Sequence, residues 1–182
     1  MKAAFQPSGP YGLLAEFKRP EDLLVATERS YARGYRMMEA YTPFPVDGLA
    51  EAIGFTRNRI PAVVLAGGLT GGLTGFFMQW YSAAVDYPLD VGGRPPNSWP
   101  MFIPVTFEMT VLFAGLTAVF GLLALNGLPM PYHPVFNVPR FALATRDRFF
   151  LCVEATDPLF DRAGTKLFLQ GLHPREVSEV EH

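Results

Sequence analysis

VVLAGGLTGGLTGFFMQWY, residues 63–81, is the stretch of this 182-residue chain that indicates most clearly whether the chain folds in water or in a membrane. Its glycines suggest a loop, yet no charged residue occurs from Ile60 to Val85. A Walker phosphate-binding loop needs a lysine after its last glycine, and the chain has none between Lys18 and Lys166. These 26 uncharged residues span roughly 39 Å as a helix, enough to cross a hydrocarbon core of about 30 Å. We therefore predict a transmembrane helix.

A second apolar run, IPVTFEMTVLFAGLTAVFGLLAL, occupies residues 103–125 and is interrupted only by Glu108. The loop between the two runs is rich in proline and glycine, and aromatic residues flank it as in an interfacial belt. We predict a transmembrane hairpin over residues 57–130, with spans at about 60–85 and 103–125. The alternative is a buried helical pair in a soluble protein, but soluble helices are shorter and have a polar face.

The glycines of the first span form three overlapping Gly-x-x-x-Gly pairs, which allow another helix to approach the backbone closely. Three pairs exceed what one contact within the hairpin needs, which favours a neighbouring membrane subunit. The predicted helix-packing face comprises Gly67, Gly68, Gly71, Gly72, Gly75 and, on the second span, Gly115.

Glu108 is the one charged residue inside a predicted span. A carboxylate costs on the order of 2.5–3.5 kcal/mol at the centre of a transmembrane helix and less near its edge. We expect it to face packed protein. Gln79 lies at a similar depth on the other helix, which makes it a candidate hydrogen-bond donor to Glu108. Two roles remain open for Glu108, a polar contact that fixes the helix pair and a proton relay.

The rest of the chain has the composition of a water-soluble module. Only four of the 15 basic and 17 acidic residues lie within residues 60–128. Residues 1–56 and 131–182 are therefore predicted to be the two halves of one cytoplasmic domain. The net charge of −2, without basic clusters, gives no support for nucleic-acid binding.

The order of predicted elements in these two halves is β-α-β, hairpin, β-α-β. Strands are predicted at 11–17, 35–41, 149–155 and 176–181, with a helix over 20–34 and a second helix capped by Asp157 and ending at Gly171. A further edge strand is possible at 140–145. Two β-α-β halves commonly close into an α+β ferredoxin-like sandwich, which we predict here with the hairpin inserted between its halves.

The basic residues predict the orientation of the hairpin. Arg57 and Arg59 precede the first span and Arg140, Arg146 and Arg148 follow the second, whereas the loop has one arginine and two aspartates. The positive-inside rule then places both termini in the cytoplasm.

No pattern of catalytic, cofactor-binding or metal-ligating residues is recognisable in the sequence. There is no histidine before His133 for transmembrane haem, and the single cysteine, Cys152, cannot hold an iron–sulfur cluster. We expect a cofactor-free, non-catalytic chain.

Several segments together resemble a known family: YTPFPVDGL, LAGGLTGG, QWY, DYPLDVGGRPPNSWPMFIPVTFE and GLPMPYHPVFNVPRFALATRDRFFLCVEATDP. Over residues 11–181 the chain is similar to the D component of bacterial alternative complex III. The resemblance implies an accessory subunit in the bacterial inner membrane, within a quinol-oxidising respiratory complex. Its implied partners are a polytopic quinol-binding subunit, an iron–sulfur subunit and a cytochrome c subunit, together with the lipid bilayer. It assigns no catalytic residue to this chain.

Two other functions stay open at this point. Direct participation in proton transfer would run through Glu108. An independent membrane sensor would bind a ligand or metal in its soluble domain, although the first β-α turn, FKRP, lacks the cysteines of metal-binding sandwiches.

Overall fold

A computed structural model of the chain describes residues 9–55, 58–90 and 92–182. Two compact units are present, one formed by residues 9–55 with 131–182 and the other by residues 58–130. The predicted boundary between residues 56 and 57 lies outside the described residues. The fold class is mixed α/β, with one four-stranded antiparallel sheet and two long apolar helices.

The sheet contains β1 (Gly12–Phe17), β2 (Met38–Tyr41), β3 (Phe149–Glu154) and β4 (Glu176–Val180). Their order across the sheet is β2-β3-β1-β4, and every neighbouring pair is antiparallel. β1 pairs with β3 and β4, and β2 pairs with β3. Each strand therefore finds its hydrogen-bonding partners in the other half of the chain.

One face of the sheet is covered by α1 (Pro20–Arg33) and α5 (Arg162–Gln170), with the single-turn helix α2 (Leu49–Ala52) beside α1. Alternate β1 residues, Leu13, Ala15 and Phe17, point into this core because side chains along a strand alternate between faces. α1 has proline in its first turn and ends at Gly34, whose φ of 114° suits glycine.

Two 3₁₀ helices, Pro134–Asn137 and Pro139–Thr145, cover the opposite face. The second core there comprises Leu14, Phe150, Cys152 and Val180 from the strands and Val135, Val138, Phe141 and Ala144 from the 3₁₀ segment. The possible edge strand at 140–145 is thus wrong, because this segment packs across the sheet instead of extending it. Burial of both faces explains why all six residues of β1 are buried.

Asp157 does not cap α5 as predicted. The N-cap is Asp161, whose carboxylate accepts a hydrogen bond from the Gly164 N–H at 2.7 Å. Asp157 lies in the preceding turn, where it accepts from the backbone N–H groups of Arg36, Met37 and Leu159. Although burial opposes ionisation, these bonds hold the pKa of Asp157 below its ordinary value.

The second unit is a helical hairpin. α3 (Ile60–Tyr81) continues as a π-helix over Ser82–Asp86, and a 3₁₀ turn over Trp99–Phe102 leads into α4 (Ile103–Leu125). Each continuous helical stretch is 27 residues long, with mean hydropathy of 1.6 and 1.9 in its most apolar window. Only 17 % and 0 % of these windows are buried within the protein, unlike the core helices of soluble proteins. Both helices are long and apolar enough to cross a membrane.

Candidate functional site

The predicted glycine face lies mainly inside the hairpin. A Cβ atom at Gly71 would overlap the Met109 carbonyl oxygen, and one at Gly67 would overlap the Thr117 side chain. At Gly75 it would come within 3.0 Å of the Met109 Cβ. These glycines therefore permit the close approach of α3 and α4, the role that small residues have in transmembrane packing.

Gly68 and Gly72 also contact α4 but lie toward one side of the helix pair. A Cβ at Gly68 would lie 3.6 Å from Ala114 Cβ, and one at Gly72 would lie 2.7 Å from Thr110 Oγ1. Both glycines line an open apolar groove of about 560 Å³ between the two helices. All five glycines of α3 thus lie against α4. The neighbouring membrane subunit that their spacing favours stays a prediction.

Gly115 is separate from the other predicted glycines. No heavy atom outside its own stretch of helix lies within 4 Å of the position its Cβ would occupy. The structure thus places Gly115 on the outside of α4, where it takes no part in the contact with α3.

Gln79 and Glu108, the candidate hydrogen-bonded pair, are not brought together. The Gln79 amide donates to the Gly75 carbonyl oxygen at 2.9 Å and to the Phe102 carbonyl oxygen at 3.1 Å. It thereby ties the end of α3 to the start of α4. Glu108 is exposed and has no hydrogen bond or ion pair with the residues that the structure describes. The candidate bond between the two side chains is not formed, because Glu108 lies on the side of α4 opposite the residues that meet α3.

The unit of residues 9–55 and 131–182, which we predicted to be water-soluble and call the soluble unit, contains a buried carboxylate that we did not single out from the sequence. Glu16 on β1 is 3 % exposed and accepts two hydrogen bonds from Arg140, at 2.6 and 2.8 Å. Arg148 Nε lies 3.2 Å from Glu16 Oε1 without hydrogen-bond geometry, and Arg175 Nε lies 3.8 Å away. The Arg140 hydrogen bonds and the arginine charges lower the pKa of Glu16 against the opposing effect of burial. Its signal in the sequence is an acidic residue within an otherwise apolar strand, YGLLAEF.

Arg140 and Arg148, two of the arginines that we used to predict orientation, are therefore partners of Glu16. Arg140 also lies 3.2 Å from Glu176, and Arg148 donates to Asp147 at 2.6 Å. The charges of the three arginines, Arg140, Arg148 and Arg175, are balanced by three carboxylates, those of Glu16, Glu176 and Asp147. The group is electrically neutral as a whole and does not form an anion site.

A second polar group on the 3₁₀-covered face joins Tyr11, His133, Glu39 and Tyr41. Tyr11 Oη lies 3.3 Å from His133 Nε2, which is 3.6 Å from Glu39 Oε2, and the Tyr41 hydroxyl donates to Glu39. Burial raises the pKa of both tyrosines, and the next cause is the Glu39 charge for Tyr11 and the hydrogen bond to Glu39 for Tyr41. Both tyrosines stay protonated. His133 Nδ1 accepts from the Val135 N–H, so the neutral His133 ring carries its proton on Nε2 and donates to Tyr11 Oη. The Tyr11–His133 bond anchors the start of the 3₁₀ segment to the residue that precedes β1.

Among residues 9–55, 58–90 and 92–182 there is no group of three histidine, cysteine, aspartate or glutamate side chains placed to hold a metal ion. The carboxylates of Glu16, Glu39 and Asp157 each have a hydrogen-bond partner within the soluble unit. Glu108 is the exception, as an ionisable side chain on a membrane-length helix.

Comparison with known protein families gives a match over most of the chain. The model of the family described as Alternative complex III, ActD subunit, matches residues 11–179, nearly the whole chain. No curated protein matches the chain.

Proposed function

Because the chain belongs to the ActD family of alternative complex III, we propose that it is a non-catalytic accessory subunit that stabilises a polytopic quinol-binding neighbour. As a member of that family it assembles with other subunits of the complex. We propose that these include an iron–sulfur subunit and a cytochrome c subunit, which hold the redox cofactors.

The observation that carries this proposal is the outer surface of the hairpin. Every α4 residue is at least partly exposed, and large apolar side chains such as Leu65, Leu69, Val119 and Phe120 are more than half exposed. Exposed apolar surface on this scale requires lipid or protein to cover it. The carboxylate of Glu108 within that surface favours protein over lipid at one position, because lipid tails offer no hydrogen-bond donor.

The contacts of the soluble unit support a structural role. Burial raises the pKa of the Cys152 thiol, so it stays protonated and is a poor nucleophile. Glu16 is held by arginines, and Asp157 by backbone N–H groups. These carboxylates stabilise the fold. They would have to give up these contacts before they could act on a substrate.

We propose that this unit is a ferredoxin-like sandwich. Its support is the β-α-β, β-α-β element order together with the strand order β2-β3-β1-β4, which reads β4-β1-β3-β2 from the other edge. The division into a soluble domain of residues 1–56 and 131–182 and a membrane hairpin of 57–130 belongs to the same proposal.

We place the hairpin in the bacterial inner membrane with both termini in the cytoplasm. The support is the asymmetry of basic residues, with Arg59 before α3 and with Arg94 as the one basic residue between the two helices, where Asp86 and Asp90 also lie. Arg57, the other basic residue before the first span, lies outside the described residues.

The test is isolation of the chain from gently solubilised native membranes through an affinity tag. We expect c-type haem, an iron–sulfur protein and quinol oxidation activity to co-purify with it. Recovery of the chain alone, colourless and monodisperse, would show that the proposed assembly is wrong.

A further inference from the structure

Glu108 lies on the side of α4 that faces directly away from α3. Successive residues of an α-helix are about 100° apart, so residues 112, 115, 119 and 122 fall within about 40° of Glu108. The α4 residues that meet the α3 glycines, including Thr106, Thr110 and Thr117, fall on the opposite side. We call the surface formed by Glu108, Leu112, Gly115, Val119 and Leu122 the Glu108 face.

We propose that the Glu108 face binds a transmembrane helix of another subunit that carries a basic side chain level with Glu108. This inference rests on the proposed function, since it requires the chain to be part of a membrane complex. It assigns the contact to the outer side of α4, whereas the glycine spacing alone predicts a packing face largely on α3.

Charge complementarity selects the occupant. Glu108 lies five residues after Ile103, about 7.5 Å along the helix axis, and the glutamate side chain is too short to extend far toward the membrane surface. Ionisable groups within transmembrane helices usually face protein and pair with one another. A lysine or arginine on the facing helix supplies the opposite charge.

Lipid and a second copy of the chain fit this face less well. Acyl chains offer nothing that pairs with a carboxylate. Residues 60–128 contain one basic residue, Arg94 in the connecting loop, and no histidine. Two copies meeting through this face would therefore oppose one Glu108 with the other, which is unfavourable.

Gly115 determines how closely the partner approaches. It lies two helical turns from Glu108, and its Cβ position is open to the outside. The partner backbone can approach α4 closely there, while Leu112 and Val119, each more than half exposed, flank the gap. A helix seated against Gly115 brings its side chains within reach of Glu108.

The direct test places a photo-reactive amino acid at Leu112 and isolates the tagged complex after irradiation in native membranes. We expect a cross-link to a transmembrane peptide of another subunit that has lysine or arginine within one turn of the cross-linked residue. Glu108→Gln, which keeps the shape and removes the charge, should reduce this cross-link several-fold. Phe120→Leu, on a lateral side of α4, should leave it unchanged.

Three outcomes would overturn the inference while the other subunits still co-purify. They are cross-links from Leu112 to lipid alone, to a second copy of this chain, or to a helix without a basic residue near that position. A chain that purifies without any other subunit would instead contradict the proposed function, and the inference with it.

Discussion

Glu16 shows how one residue organises the polar interior of the soluble unit. Its carboxylate is buried on the sheet face that the 3₁₀ segment covers, and the Arg140 guanidinium binds it through two parallel hydrogen bonds. Arg148 and Arg175 add positive charge from the turn before β3 and from the turn before β4. The carboxylate thus joins β1 to the 3₁₀ segment and to the turns before β3 and β4, all from the second half of the chain, so its removal affects more than one element.

We predict that Glu16→Gln lowers the free energy of unfolding by about 3 kcal/mol, at the lower end for a broken buried ion pair because the arginines stay partly solvated. The folded-state pKa of Glu16 is lowered, so its stabilisation is present above the ordinary glutamate pKa of 4.5 and is lost as the pH falls through the folded-state value. The difference between wild type and variant should therefore be largest at neutral pH and shrink in acid. Thermal unfolding of the full-length wild type and variant in nanodiscs, from neutral pH to below the ordinary glutamate pKa of 4.5, measures this difference.

Glu21→Gln is the matched control, because the Glu21–Arg19 pair is exposed on both sides. Exposed pairs contribute little, and we expect a change of less than about 1 kcal/mol. Equal effects of the two substitutions, or a Glu16 effect that grows in acid, would show that the ion pair does not stabilise the sheet.

At the scale of the elements, the sequence predicts much of the hairpin and less of what its residues contact. The apolar runs identify both membrane-length helices, because length and absence of charge are local properties. The glycine spacing indicates close packing but does not say which helix is the partner, since this depends on how α3 and α4 are rotated. The same rotation directs Glu108 away from Gln79.

The prediction for the 3₁₀ segment failed for a related reason. RFALAT is short and apolar, which fits either an edge strand or a cover for the sheet, and periodicity alone does not separate the two. Asp157 and Asp161 both precede α5, and the later of the two provides its cap. Local patterns thus identify these elements but not their tertiary contacts.

Gly71→Leu should destabilise the hairpin, whereas Gly115→Leu should not. Both gain about 1 kcal/mol of helix propensity over glycine. At Gly71 the added side chain meets the Met109 carbonyl oxygen, which is backbone and cannot move aside, so overpacking by about 1–3 kcal/mol offsets or exceeds the gain. At Gly115 it meets nothing within the chain.

The measurement is the thermal unfolding of each full-length variant in nanodiscs, followed by helical circular dichroism. We expect a lower midpoint for Gly71→Leu and an unchanged or higher midpoint for Gly115→Leu. If Gly115→Leu lowered the midpoint as much as Gly71→Leu, the assignment of the α3–α4 contact would be wrong.

At the scale of the whole molecule, the soluble unit is discontinuous in sequence. β1 and β2 come before the hairpin, yet neither pairs with the other, and both pair with β3 from beyond it. The sheet therefore cannot form until α3, the connecting loop and α4 have been synthesised. The element order was predictable from the sequence, whereas the register of these non-local strand pairs was not.

The central claim is that this protein stabilises its complex and takes no part in the redox chemistry. The most direct test is a strain that lacks the chain, in which assembled complex is quantified by c-type haem and quinol oxidation is expressed per haem. We predict a large loss of assembled complex with turnover per haem unchanged, restored by the wild-type chain. Normal amounts of complex with turnover per haem abolished would contradict the claim and assign this chain a direct part in catalysis.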